Sequence, residues 1–331
     1  MKRFAALALI CCFLCPLCAF AQERAPEFTF QEKNYVGYLG KRLYIEVAVK
    51  YASYLEKPYP VELRDQTGRV WASRSCPVKA KVLSFQTMLD ESHLGGFDLS
   101  VWSGDVCLST NTAYVAICDR SVKAITTLDT DQPYMSVSID CAFVGSPTDK
   151  ILAVLDEYNV KATFFMTGGF VEEFPEQAKK IRDAGHEIAC HSVSHPHLLE
   201  RNLNSRFHQV RHASEIIREQ LNVVPRLFRP PYGEFDSTVT AAARSEGMEI
   251  CMWTIDSHDW DEAYTQDQII RRVKRNVGPG TIILFHLDGF KTPSTLQEVI
   301  PYYQDTLGLT LVPISELCAI SGRELPANPY E

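Results

Sequence analysis

Met135-Ser-Val-Ser-Ile-Asp140-Cys141 opens the part of the chain whose pattern decides the fold. An apolar strand, Met135–Ile139, runs into an aspartate that has no packing reason to stand there. Outward from it, further apolar strands over Ala162–Met166, Glu187–Cys190, Glu249–Trp253 and Thr281–Phe285 alternate with helical stretches at Thr148–Tyr158, Pro175–Ala184, Ser205–Leu221 and Phe235–Glu246. Alternation of this kind implies an α/β domain built on a largely parallel sheet. Thr148 reads as an N-cap, and Gly185 and Gly247 as helix stops. In such sheets the chemistry gathers at the carboxyl ends of the strands.

Before this domain the pattern is different. From Tyr44 to Ile125 the apolar residues come in short runs (Tyr44–Val49, Val101–Trp102, Tyr114–Ile117) broken by Gly, Pro and Asp-rich turns, which reads as a β-sandwich-like domain. Its aromatic residues Tyr51, Tyr54, Tyr59, Trp71 and Trp102 are expected in the sandwich core. Lys2 and Arg3, the apolar run Phe4–Phe20 and the small residues Ala19 and Ala21 read as an export signal cleaved after Ala21. A lipid-modified cysteine competes, but neither Cys12 nor Cys18 follows the small residues that such processing needs. The expected organisation is a signal over 1–21, a β-rich accessory domain over 22–130 and an α/β domain over 131–331, with Leu128–Pro133 as linker. The expected location is outside the cytoplasm, secreted or periplasmic and associated with the envelope. No other stretch approaches the ~20 apolar residues of a membrane span, so no stable membrane insertion is expected after cleavage.

A formal net charge of −8 offers no broad basic footprint, and nucleic acid is not an expected partner. The run Arg271, Arg272, Lys274, Arg275 reads as a solvated helix face. Of the eleven cysteines, Cys11, Cys12, Cys15 and Cys18 leave with the signal, and the remaining number is odd. Cys76, Cys107 and Cys118 could supply one disulfide in an oxidising compartment, whereas Cys190, Cys251 and Cys318 sit in apolar runs and read as core thiols.

Polar residues with chemical potential lie at the strand ends. His191-Ser-Val-Ser-His195 follows the strand Glu187–Cys190, and the small serines between the imidazoles let both rings face one ion. Asp140 could be a metal ligand, a general base or a cap. Arg229-Pro-Pro-Tyr-Gly233 places an arginine suited to a carboxylate partner before a stiffened turn. Asp256-Ser-His-Asp259-Trp260 and Leu284-Phe-His286 end two further strands. Each is weak alone; five in one domain are hard to sustain as chance.

In order and form these five motifs resemble those of the polysaccharide deacetylase family, the NodB-homology carbohydrate esterases, over roughly Tyr134 to Cys318. The resemblance implies a distorted (β/α) barrel that removes acetyl groups from N-acetylated sugars with a divalent metal, usually zinc. It implies Asp140 as general base, His191 and His195 as metal ligands and His286 as general acid. Arg229 would hold Asp140, Asp259 would orient His286, and Tyr232 would offer its backbone N–H to the oxyanion. Trp260 and Leu284 would wall the pocket for the acetyl methyl. The expected partner is an N-acetylated glycan polymer, with peptidoglycan ahead of chitooligosaccharide and exopolysaccharide.

One position departs from the family pattern. A second aspartate usually follows the first and completes the metal set, but here Cys141 stands in its place. Three readings are open. Cys141 ligates as a thiolate, which zinc accepts; or it is a spectator while water or another group completes the shell; or the site binds metal too weakly to work. The last reading makes the chain a non-catalytic glycan-binding protein.

Overall fold

The computed structural model describes residues 25–120 and 123–330, so the segment read as a signal lies outside the described residues. The first part is built of strands: β1 (Glu27–Phe30), β2 (Asn34–Tyr38), β3 (Arg42–Lys50), β4 (Tyr59–Asp65), β5 (Val70–Cys76), β6 (Val82–Met88), β7 (Gly95–Ser103), β8 (Val106–Cys107) and β9 (Ala113–Cys118). The chain groups into two compact units that do not divide at one point. Segments 32–44 and 86–99 group with everything from Ala113 onward, which departs from the single boundary near residue 130 that the sequence suggests.

In the smaller unit β1 pairs antiparallel with β3, and β4 with β5. Leu43, Ile45, Val47 and Val49 are buried along β3 while Arg42, Tyr44, Glu46 and Lys50 are exposed, the period of two that a strand with one covered face requires. The Asp65 carboxylate holds the β4–β5 connection by accepting from Thr67, Arg69 and the Trp71 indole. Of the aromatics expected in the core, Trp71 is buried, but Tyr54 is 57% exposed and Tyr51, Tyr59 and Trp102 are only partly covered. Tyr54 ends a short 3-10 turn, Ala52–Tyr54, that follows Tyr51 in the left-handed region at φ 61° and buries only Ala52.

The larger unit contains β2, which pairs parallel with the wholly buried β9, and the Gly95–Leu99 half of β7, which pairs with β9 antiparallel. Its main sheet has eight strands: β10 (Tyr134–Cys141), β11 (Thr163–Met166), β12 (Glu187–Cys190), β13 (Leu227–Phe228), β14 (Glu249–Ile250), β15 (Ile255–Asp256), β16 (Ile282–His286) and β17 (Thr310–Leu311). The order is β14-β13-β12-β11-β10-β16-β15, with β17 against the start of β10. Every pairing recorded in it is parallel. The helices α1 (Thr148–Glu157), α2 (Gly168–Glu173), α3 (Pro175–Asp183), α4 (Leu203–Leu221), α5 (Ser237–Ser245), α6 (Gln266–Val273), α7 (Thr292–Pro301) and α8 (Ile314–Ile320) complete a distorted (β/α) barrel.

The two faces of β10 explain what the fold does for the site. Met135, Val137, Ile139 and Cys141 are fully buried in the main apolar cluster with Ile151 and Leu155 of α1 and Leu296 and Val299 of α7. The alternate residues Ser136, Ser138 and Asp140 are buried polar groups. Burial of a hydroxyl is tolerated only with a partner, and the two serines donate to the carbonyls of Val312 and Ile283.

Some local expectations need correction. Pro147, not Thr148, caps α1, and the Thr148 hydroxyl is buried without a partner. Gly185 and Gly247 do end their helices in the left-handed region, at φ 79° and 75°. Asp149 lies in the first turn of α1 and pairs with Lys180 at 2.7 Å. All seven described cysteines are free thiols, so the disulfide considered for Cys76, Cys107 and Cys118 is not formed; Cys190, Cys251 and Cys318 are buried as expected.

Candidate active site

β10 and β16 lie side by side in register, with Ser138 opposite Leu284 and Asp140 opposite His286. That register puts a carboxylate and an imidazole, distant in sequence, at the same level of one strand edge. Around them a pocket of about 470 Å³ is lined by Asp140, His191, His195, Tyr232, Trp260 and His286, and also by Leu284, Trp253, Asp256 and Asp288. Nine of the ten residues singled out for the site are therefore either on the pocket wall or, for Arg229 and Asp259, directly behind it. The tenth is Cys141.

Arg229 is completely buried. Its Nη1 donates to Asp140 Oδ1 at 2.6 Å, its Nη2 to Ser138 Oγ and the Met252 carbonyl at 2.9 Å, and its Nε to the Cys251 carbonyl at 3.3 Å. The guanidinium also lies over the Phe165 ring, 3.8 Å from its centroid. Burial alone would raise the Asp140 pKa, but the Arg229 guanidinium, chief among the neighbouring positive groups, outweighs it and holds the carboxyl below its ordinary range. Asp140 is thus an anion fixed in place.

His191 donates from Nδ1 to the Arg229 carbonyl at 2.7 Å, which leaves Nε2 as the lone-pair nitrogen, 3.4 Å from Asp140 Oδ2. A histidine whose far nitrogen is tied to a carbonyl is oriented and made more basic as a ligand. The His195 ring lies 4.9 Å from that of His191, and its buried Nδ1 has no hydrogen-bond partner. Burial and the neighbouring imidazole push its pKa down to about 4, and burial likewise lowers that of His191, so both rings are neutral donors near pH 7. The histidine loop is bent, with Ser192 at φ 71° and His195 at 56°, and two other loops of the site hold Tyr232 at 57° and His258 at 58°; all four are left-handed, a strained state for side-chain-bearing residues that concentrates at functional sites.

These two imidazoles suit a divalent ion, and the orphaned His195 nitrogen is the group in the pocket that lacks a partner without one. A third protein donor is not brought to them. Cys141 Sγ faces the apolar cluster, near the Ile139 carbonyl at 3.8 Å, and is absent from the pocket wall; burial raises its pKa well above that of a free thiol. The strand alternation that sends Asp140 inward sends its neighbour outward. Among the described residues no three His, Cys, Asp or Glu side chains stand close enough together to hold a metal.

On the other side, Asp259 is fully buried and serves His286. Its Oδ1 meets His286 Nδ1 at 2.8 Å, and its Oδ2 accepts from the His286 backbone N–H at 3.0 Å and from the Thr292 hydroxyl at 2.5 Å. Burial would lower the His286 pKa, but the bond to Asp259 and the charges of Asp259, Asp140 and Asp256 raise it above the ordinary value. Trp260 is half exposed and Leu284 buried, both on the pocket wall, and Tyr232 stacks on His197 with ring centroids 3.9 Å apart.

Several participants were not singled out in the sequence. Thr292 braces Asp259, and Gly289 makes room for it: a Cβ there would lie 2.1 Å from Thr292 Oγ1 and 2.5 Å from Asp259 Oδ2. Asp288 joins the pocket wall, and burial followed by the charges of Asp259 and Asp140 raises its pKa. The signal for Asp288 was its place two residues beyond His286, in the turn that follows the strand end. Thr292 had no such signal.

An α/β barrel thus sets a fixed carboxylate against a carboxylate-braced imidazole, beside two neutral histidines, on the wall of one pocket. The polysaccharide deacetylase family model matches residues 128–251. The peptidoglycan-N-acetylglucosamine deacetylase of Bacillus cereus is 35% identical over 46% of this chain and 57% of its own length. A solved peptidoglycan N-acetylglucosamine deacetylase superposes with a TM-score of 0.54 at 30% identity, covering 58% of this chain and 91% of that one. A solved structure described as a pseudoenzyme of carbohydrate esterase family 4, from Bacillus anthracis, gives a TM-score of 0.56 at 25% identity over 78% of this chain and 90% of that one. The chain belongs to the polysaccharide deacetylase family. It spans little more than half the length of the B. cereus relative.

Proposed function

We propose that this protein is an exported, divalent-metal-dependent N-deacetylase of an N-acetylhexosamine polymer, with peptidoglycan the foremost substrate. One observation carries the reading. Asp140 and His286 face the same pocket from adjacent strands with pKa values displaced in opposite directions, down for the carboxyl and up for the imidazole. Two titratable groups pushed apart in this way suit a base and an acid.

A divalent ion, zinc by preference, would be held by His191 and His195 with water filling the positions that no protein side chain supplies, and it would polarise the acetamide carbonyl. The remaining work falls to side chains. Asp140, kept ionised by Arg229, takes a proton from the attacking water. His286, kept protonated by Asp259, gives a proton to the departing amine, which leaves poorly without one. The backbone N–H of Tyr232 supports the negative charge that develops on the acetyl oxygen. Trp260 and Leu284 give the acetyl methyl an apolar seat. The relatives named as peptidoglycan and chitooligosaccharide deacetylases support an N-acetylated glycan as partner, and a cell-envelope location suits that substrate.

The test is acetate release from peptidoglycan and from chitooligosaccharides by metal-stripped protein resupplied with zinc. Release is expected from the wild type and is expected to vanish with Asp140→Asn. A second reading, a glycan-binding protein without turnover, is favoured by the outward-facing Cys141 and by the likeness to a structure described as a pseudoenzyme. Glycan binding with no acetate release on either polymer would establish that reading in place of the first.

A further inference from the structure

α6 and the turn after it carry four basic residues, Arg271, Arg272, Lys274 and Arg275, which the sequence presents as one solvated face. The structure divides them. Lys274 turns to Glu298 and to the Tyr302 ring. Arg271, Arg272 and Arg275 instead line a groove of about 830 Å³ together with Tyr264 and Asn276. Among the described residues none of the three forms an ion pair with an acid; Asp267, four residues before Arg271, does not pair with it. Helix polarity favours basic residues in a last turn, but it does not make three guanidiniums converge on one groove in a chain of net charge −8.

The groove and the active-site pocket flank the same strand, β15. Ile255 lines the groove and the next residue, Asp256, lines the pocket, while Arg272 Nε donates to the Asp256 carbonyl at 2.5 Å. The pocket wall has the opposite character. It contains no lysine or arginine, and it carries Asp256 and Asp288 in addition to the Asp140 that Arg229 compensates. The pocket has room for a neutral acetamido sugar, and the unpaired guanidinium groups lie in the groove instead.

We propose that the groove of Arg271, Arg272 and Arg275 is a binding subsite for a carboxylate borne by the glycan chain whose neutral acetamido sugar occupies the pocket. This rests on the proposed deacetylase reading for the occupant of the pocket. Guanidinium is the side chain suited to carboxylate, through paired N–H donors. The subsite selects acidic polymers, such as those with lactyl groups, over uncharged ones.

The experiment compares a tetrasaccharide of alternating N-acetylglucosamine and N-acetylmuramic acid with free lactyl carboxylates against uncharged N-acetylchitotetraose. Binding by calorimetry and acetate release are both measured, for the wild type and for the double variant Arg271→Gln, Arg275→Gln. The expected result is a loss of about fivefold in affinity and a rise of about fivefold in KM for the acidic tetrasaccharide, as for two exposed charge contacts, with the uncharged one unchanged and kcat preserved on both. The loss shrinks as salt is raised above about 0.15 M. Equal effects on both tetrasaccharides, or none on either, overturn the subsite. If the wild type releases no acetate but the double variant still loses affinity for the acidic ligand alone, the deacetylase reading fails and the subsite stands.

Discussion

Two buried carboxylates serve the pocket, and they are tied to different kinds of partner. Asp140 is bonded to Arg229, a cation that never loses its proton, and is held as an anion. Asp259 is bonded to His286, a cation that can, and its effect appears on the partner, whose pKa rises. One pair fixes a charge and the other prepares a transferable proton. In the proposed reading the same functional group thus supports a base on one strand and an acid on the next, and what decides between them is the titration range of the partner.

The largest effect that would break this comparison is expected at Arg229. Arg229→Ala leaves Asp140 buried without its cation, at a cost of about 3–5 kcal/mol, read as a shift in urea unfolding; a loss below about 1 kcal/mol would show that Asp140 does not depend on this charge. Next comes Asp259→Asn, expected to reduce acetate release by about 100-fold or more and to lower the His286 pKa measured by NMR titration. The sign of the linked stability differs between the pairs. The raised His286 pKa contributes stability that is fully present below about pH 6.5 and is lost as the pH rises through the folded value. The lowered Asp140 pKa contributes stability present above about pH 4 and lost as the pH falls. Thermal unfolding across pH should therefore show Asp259→Asn losing the first contribution and keeping the second.

Smaller effects sharpen the picture. Gly289→Ala is expected to cost about 1–3 kcal/mol by overpacking and to reduce activity through displaced Asp259, with partial rescue of stability if Thr292 is shortened to Ala at the same time, since the contact with Asp259 remains. Unaltered activity in the single variant would mean that Thr292 and Asp259 give way freely. The smallest effect is expected for Cys141→Ala: zinc affinity by calorimetry within about twofold of wild type, with a stability loss near 1 kcal/mol for a small core truncation. A tenfold fall in zinc affinity would return the thiolate to the metal shell.

The sequence itself determined a good deal. Strand–helix alternation from Met135 onward was enough for the α/β class, because the periods of buried positions in strands and helices differ. The five motifs at strand ends were enough for the family, since a parallel sheet delivers those ends to one rim. Polar residues such as Asp140 and His286 stood out because they interrupt apolar runs.

The tertiary structure alone decided how those residues are used. Whether Cys141 meets His191 and His195 depends on which face of β10 it occupies at the strand end, and its burial with Ile151 and Leu296 puts it on the helix side. Thr292 reaches Asp259 across 33 residues of chain, and Gly289 admits the contact, which no local pattern encodes. The basic run of α6 and the turn after it divides only in the folded chain, where Lys274 pairs with Glu298 while Arg271, Arg272 and Arg275 line a groove. The physical reason is common to all three: composition and period report which face a residue prefers, whereas contact between distant segments depends on register and packing that exist only after the chain has closed on itself.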